Sequence, residues 1–198
     1  MSPQATTTPT PDHPASPGAL APLFAERWSP RAFSPEPLAP AQVSALFEAA
    51  RRAPSCYNDQ PWHFVYATEP AARARLLPVL VEANRAWAQH APLLGVVFAR
   101  KTFAHDGRPN RWGEFDAGQA AMSLALQAHL LGLASHFMGG FDEAAAYPAC
   151  EMDPAGWTAM AAFVVGRVGD PATLPEKLRE RELLRSPRKP AAEVAREV

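Results

Sequence analysis

The chain has 198 residues, 47% hydrophobic and 20% charged, with a formal net charge of −1. That length suits one domain with a real core, and the near-neutral balance offers no basic surface to nucleic acid or an anionic membrane. No apolar run is long enough to span a bilayer, no signal-peptide pattern opens the chain, and the two cysteines, Cys56 and Cys150, form no motif. The sequence therefore points to a cytoplasmic protein with free thiols, although a disulfide is compatible with it.

Residues 1–18 are rich in Pro and Thr and carry almost no large apolar side chain, the composition of a disordered tail. Residues 19–198 form the domain. Leu20, Leu23, Phe24 and Arg27 recur at helical spacing, with Pro22 tolerated only in a first turn. Pro30 keeps the next stretch, Arg27, Trp28, Ser29 and Arg31, out of helix. Pro40 opens a helix running to about Arg52, with Val43, Leu46, Phe47 and Ala50 on its apolar face.

A polar loop follows, holding Ser55, Cys56, Asn58 and Gln60, and a strand begins at Trp62 and ends at Ala67. Leu76, Leu77, Leu80, Val81 and Trp87 mark residues 70–89 as helical, broken at Pro78. The continuous apolar run 93–99 reads as a central strand buried on both faces. Residues 100–112 are basic and polar and read as a variable or mobile loop.

The strongest helical pattern covers 113–131. It is apolar nearly all round, so it belongs in a core or against a partner chain. Glu114 and Asp116 suit the dipole at its start, and Gly132 is placed to end it. A short strand over 133–138 closes on Gly139 and Gly140. A small helix over 143–150 and a second buried strand over 159–166 follow. Residues 172–198 are charged and poorly apolar, so they are either disordered or laid across another surface. The order predicts a mixed α/β or α+β sheet of about four strands with helices around it.

Several groups could carry chemistry. Arg27, Ser29 and Arg31, with the distant Arg188 and Lys189, could hold a phosphate through charge-assisted bonds, yet they equally suit a solvated helix end. Ser55, Asn58 and Gln60 suit a neutral, planar, hydrogen-bonding ligand, or a polar turn before a strand. Gly139 and Gly140 suit close backbone approach to a ligand, or a tight turn. No HxH, HExxH or CxxC pattern supports a metal. Cys56 has no signature of a nucleophile and reads as an inert thiol.

Taken together, the blocks resemble the nitroreductase family of flavoproteins. They run from Arg27 to Phe33, from Ala50 through Pro54, Ser55, Cys56, Asn58 and Gln60 to Trp62, from Phe115 to Ala121, from Gly132 to Asp142, over Val165 and Gly166, and from Arg188 to Pro190. The resemblance implies an α+β nitroreductase-like fold on a central mixed four- to five-stranded sheet, with the long helix at a homodimer interface and residues 172–198 as an arm reaching the partner. It implies FMN at each of two interface sites. Arg27, Trp28, Ser29 and Arg31 would contact its phosphate, ribityl and pyrimidine edge, and Arg188 and Lys189 would close on the phosphate. Pro54, Ser55, Cys56, Asn58 and Gln60 would form a wall from the partner chain, with Met138, Gly139 and Gly140 beside N5.

The implied activity is ping-pong hydride transfer from NADH or NADPH, through the flavin, to a nitroaromatic, quinone or reactive carbonyl, with no protein nucleophile. A flavin-binding protein with little turnover and a flavin-fragmenting or dehalogenating relative are the alternatives. Three departures from the family pattern stand out: Trp28 replaces a usual His or Arg, Ser186 replaces a basic residue of some members, and 100–112 is too short for a large helical lid.

Overall fold

The computed structural model describes residues 20–184 and 186–198, so the tail 1–18 expected to be disordered lies outside the described residues. Proline punctuation sets the early helices. Pro22 opens α1 (Pro22–Glu26), Pro40 opens α2 (Pro40–Ala50) and Pro70 opens α3 (Pro70–Leu76), each at a first-turn position where no backbone N–H is needed. Pro78 breaks the helical stretch as expected. A 3₁₀ turn, Leu77–Val79, separates α3 from α4 (Glu82–Ala88).

The strands are β1 (Trp62–Ala67), β2 (Leu93–Arg100), β3 (Ala134–Met138) and β4 (Trp157–Gly166). They form one sheet in the order β1-β2-β4-β3, and every pairing is antiparallel. The mixed strand directions implied by the resemblance are therefore not found among the described residues. A connecting segment's length says that it can cross over, not that it does.

The two most apolar strands, β2 and β4, take the centre, where both faces are covered. Alternate residues feed two cores. Leu93, Phe163 and Val165 pack with Val43, Leu46, Ala120, Leu124 and Ala128 from α2 and α5 (Gly113–Leu130). Val96, Phe98, Ala162 and Val164 pack on the other face with Leu76, Trp87 and Ala146, the last from α6 (Glu143–Ala149). The result is three layers, with the sheet in the middle. On the α5 side Phe163 stacks on Phe137 at 5.4 Å and meets Phe64 edge-on at 5.8 Å.

One face of α5 is thus buried, but the helix is not covered all round within one chain. Phe115, Met122 and Leu130 are exposed, Phe115 by 64%. The C-terminal segment also divides. Leu174 is buried, and α7 (Glu176–Leu183) packs through Glu182, so the tail's root lies on its own chain. Residues 186–198, including α8 (Ala191–Val194), are exposed throughout.

Residues 101–110 form a small hairpin. Thr102 bridges Pro109, the Phe103 N–H donates to Arg108 O at 2.8 Å, and Gly107 turns the chain with φ +73°. Each of these bonds fixes a stretch whose polar composition suggested mobility.

Gly95 is required where it stands. A Cβ there would lie 2.5 Å from Val65 O and 2.7 Å from the Phe163 ring. Gly95→Ala is expected to destabilise the fold by about 1–3 kcal/mol through overpacking, read as a lowered midpoint in urea with an unchanged slope.

Candidate functional site

The Arg27–Arg31 loop is held from two sides. The ring of His136, on β3, donates from Nδ1 to Pro30 O at 2.8 Å. The buried carboxylate of Glu182, on α7, accepts from the N–H of Arg31 at 2.7 Å and of Ala32 at 2.9 Å. It also lies 3.9 Å from the Arg31 guanidinium. The loop is thereby pinned between the sheet edge and α7, although Glu182 is 151 positions away from Arg31.

A cavity of about 420 Å³ opens beside this loop. Arg27, Trp28, Ser29 and Arg31 line it, joined by Arg188 and by two residues the sequence did not single out, Arg181 and His136. Lys189 is exposed and is not part of the lining. No carboxylate lines the cavity among the described residues. Burial, and then the charge of Arg188, lower the pKa of Arg27. Two guanidiniums that repel each other without an acid between them hold positive potential ready for an anion. Burial lowers the pKa of His136; the Pro30 bond acts against that, Arg31 adds to it and Glu182 opposes it, and the net effect keeps the ring neutral at pH 7.

A second cavity of about 330 Å³ shares Arg27 and Trp28 and reaches Ala125 and His129 on α5. Ser135 lines it and is buried, with a hydroxyl that has no hydrogen-bond partner among the described residues.

The second predicted group lies on residues 54–60. Tyr57, Asn58 and Gln60 have φ of 56°, 54° and 49°, a left-handed region that residues with a Cβ seldom enter. Three carboxylate and hydroxyl anchors hold them there. The Cys56 N–H donates to Asp116 on α5 at 3.0 Å, and the Gln60 N–H donates to Ser55 Oγ at 3.0 Å. The Asp59 side chain, 1% exposed, accepts from Arg100 at 2.9 Å, the Ala104 N–H at 2.8 Å and Asn110 at 3.2 Å.

Ser55 and Gln60 thus spend polar groups on shaping the loop, the Gln60 amide donating to Asn58 O at 3.2 Å. Pro54 is exposed beside them. The exposed Asn58 amide has no partner among the described residues. Asp116 does more than suit a helix dipole; it is 3% exposed and positions this loop.

Met138 is buried at the end of β3. The double glycine after it has two reasons. A Cβ at Gly139 would meet open space, whereas at Gly140 it would lie 2.6 Å from the Asn84 amide, which itself donates to Gly140 O at 2.9 Å. Gly140 is thus a packing glycine, and Gly139 is the one open to a ligand. Cys56 and Cys150 are free, and burial pushes the Cys150 thiol up to about 11. No group of potential metal ligands occurs among the described residues.

The arginine cavity and the 54–60 loop do not meet within one chain. The smaller cavity that shares Arg27 and Trp28 with it reaches α5 near His129, and the loop reaches that helix near Asp116. That separation along the helix is roughly 20 Å at 1.5 Å per residue.

The fold and these features define an α+β protein with an arginine-lined cavity and a distant loop held in left-handed backbone. The sequence pattern of the Nitroreductase family matches residues 24–91 and 80–167. A Leptothrix cholodnii protein provisionally named an NADH dehydrogenase/NAD(P)H nitroreductase is 33% identical over 180 residues, spanning 79% of this chain and 88% of that one. A crystal structure described as an oxidoreductase containing FMN superposes with a TM-score of 0.85 at 37% identity, covering 96% of this chain and 97% of the other. An Exiguobacterium sibiricum nitroreductase solved with FMN shares the fold at a TM-score of 0.73 and 17% identity, over 89% and 96% of the two chains. The chain belongs to the nitroreductase family.

Two outcomes test the anchors. Glu182→Ala leaves two N–H groups and Arg31 without their acceptor, so stability falls by roughly 2–4 kcal/mol and amide exchange at Arg31 and Ala32 speeds up. For Asp59, burial raises the carboxyl pKa, but the Ala104 N–H, Arg100 and Asn110 together outweigh it and hold it below its ordinary 3.8. A depressed pKa gives stability that is present above 3.8 and is lost as pH falls through the lowered value. Exchange protection at the Ala104 amide is expected to fall away below about pH 4, and Asp59→Asn is expected to remove that acid dependence.

Proposed function

We propose that the protein is a homodimeric FMN-dependent oxidoreductase that passes electrons from NADH or NADPH to an electron-poor small molecule. The observation that carries this reading is that the Arg27–Trp28 edge shared by the two cavities and the exposed Asn58 amide lie toward opposite ends of α5. Between those ends runs an exposed apolar stripe of Phe115, Met122 and Leu130. A two-fold axis near Met122 would bury that stripe against its copy in a second chain. It would also bring the Asn58 end of one α5 to the Arg27 end of the other.

The donor set fits FMN. Arg27, Ser29, Arg31, Arg181 and Arg188 match a dianionic phosphate, and Asn58 can both donate to and accept from a planar ring edge. The open space at Gly139 allows close backbone approach. The chemistry FMN supplies when bound is a two-electron relay, hydride in from NADH or NADPH and out to a nitroaromatic, quinone or reactive carbonyl, in ping-pong order. The chain's own tasks are binding, orientation and exclusion of water. Glu182 and His136 hold the phosphate loop still, Asp116 and Asp59 hold the ring-facing loop still, and neutral His136 adds no charge to the cavity.

The exposed arm 186–198 suits a partner role as well. It carries Arg188 at its root, and β1, at the sheet's outer edge, leaves a row of backbone groups to be covered. No described helix is long and apolar enough to cross a membrane.

Mixing two inactive chains tests the composite site. Arg27→Ala and Asn58→Ala are each expected to weaken FMN retention while leaving far-UV dichroism intact. After subunit exchange between the two variants, roughly a quarter of the sites regain both wild-type halves, and flavin absorbance and NAD(P)H consumption with a quinone return in proportion. No recovery on mixing overturns the shared site, and full flavin occupancy with no turnover identifies a flavin holder instead of an enzyme.

A further inference from the structure

The hairpin at 101–110 and the loop at 54–60 meet in an aromatic cluster that none of the roles above uses. Tyr57 is 79% exposed, an unusual position for a large ring, and its backbone is left-handed at φ 56°. Its ring does not fold back onto the core. It meets Phe103 edge-on at 5.9 Å and His105 at 5.7 Å, and Phe103 and His105 lie 5.3 Å apart. Phe103 is buried, which gives the cluster a fixed base.

The same carboxylate fixes both segments. Asp59 accepts from the Ala104 N–H in the hairpin and from Arg100 and Asn110 at its two ends. The charge nearest the rings is already engaged: Asp106 takes a bond from Arg108 at 2.6 Å and lies 3.2 Å from His105. What the cluster presents outward is therefore aromatic surface with its charges paired. Strain held in place around an exposed ring is the pattern of a residue kept for contact with a ligand.

We propose that Tyr57, backed by Phe103 and His105, forms the acceptor-facing wall of the active site and selects planar aromatic acceptors, quinones and nitroarenes, over small aliphatic carbonyls. The proposal rests on the composite-site reading, because Tyr57 is one peptide unit, about 3.8 Å along the chain, from the Asn58 assigned to the flavin. Any acceptor lying on that flavin then comes within a side chain's reach of the Tyr57 ring. A planar acceptor gains offset or edge-on contact with the cluster, and an aliphatic aldehyde does not.

The test uses the full-length FMN-loaded protein and two readouts. Calorimetric titration with naphthalene-2-carboxamide, planar and redox-inert, measures binding without turnover; kcat/KM for menadione and for crotonaldehyde measures selectivity. Tyr57→Ala is expected to weaken naphthalene-2-carboxamide binding and menadione kcat/KM by roughly tenfold, the size of one aromatic contact, and to lower crotonaldehyde kcat/KM by a smaller factor, so that the preference for menadione falls. His105→Ala moves the same readouts in the same direction by about threefold, and Tyr57→Phe restores wild-type values. Equal losses for both acceptors, or no loss of naphthalene-2-carboxamide binding, overturn the wall. The calorimetric arm decides even where the aldehyde turns over too slowly to read. A wild type that holds no flavin defeats the composite site itself, whereas a flavin-loaded wild type whose variants treat both acceptors alike defeats only the wall.

Discussion

Because Ala120, Leu124 and Ala128 bury one face of α5 against Leu93, Phe163 and Val165, that packing sets the helix's rotation and register on the sheet. Small side chains on the helix let it approach closely, and the large Phe163 ring fills the space over Gly95 on the strand below. The rotational setting of α5 then decides everything at its ends. Asp116 is directed inward to hold the Cys56 N–H, while Phe115 beside it points to solvent. Neighbouring positions on a helix differ by about 100°, so one buried stripe specifies both an anchor and an exposed apolar stripe.

Buried acids organise the rest. Glu182, Asp116 and Asp59 each take backbone N–H groups from a loop that would otherwise leave those groups without partners. A carboxylate accepts several bonds at once, so one side chain can fix a stretch of non-repeating backbone. The charge balance follows from this use. Those acids sit behind the loops, and the arginines in front of them keep their positive potential. A chain of net charge −1 therefore still presents an acid-free cationic cavity at one place. Composition over the whole chain excluded a broad basic surface and said nothing about a local one.

The same distinction separates what the sequence made legible from what it did not. Pro22 and Pro40 marked helix starts, and Pro78 a break, because proline's constraint is local. The apolar runs of β2 and β4 marked central strands because burial on both faces needs no partner's identity. Arg27 and Arg188 suggested a shared anion, and they do line one cavity. Partnerships across long separations were not legible. Nothing near Glu182 indicates that Arg31 and Ala32 need it, and a charged helix in a poorly apolar tail reads as an arm until its one buried acid is seen. The left-handed turns at Tyr57, Asn58 and Gln60 were also hidden, since residues with a Cβ enter that region only when surrounding bonds impose it. The mixed sheet that the resemblance implied had no support in the pattern itself: alternation reports which face is buried, and an antiparallel sheet and a mixed one have the same alternation.

The proposed composite site links cofactor binding to assembly. If one cofactor contacts Arg27 of one chain and Asn58 of the other, it binds the dimer and not the separated chains, so occupancy and association favour each other. At a free cofactor concentration one hundred times the dissociation constant, that linkage is worth about 2.7 kcal/mol per site. The apolar stripe on α5 need not then supply all of the association energy, and it is modest: Phe115, Met122 and Leu130, with the small Gly118 among them. The strained 54–60 loop fits this arrangement. A loop that had to order on each binding event would draw its ordering entropy from the cofactor's affinity. Held in advance by Asp116 and Asp59, it draws that cost from the fold of its own chain, whose two cores supply the stability.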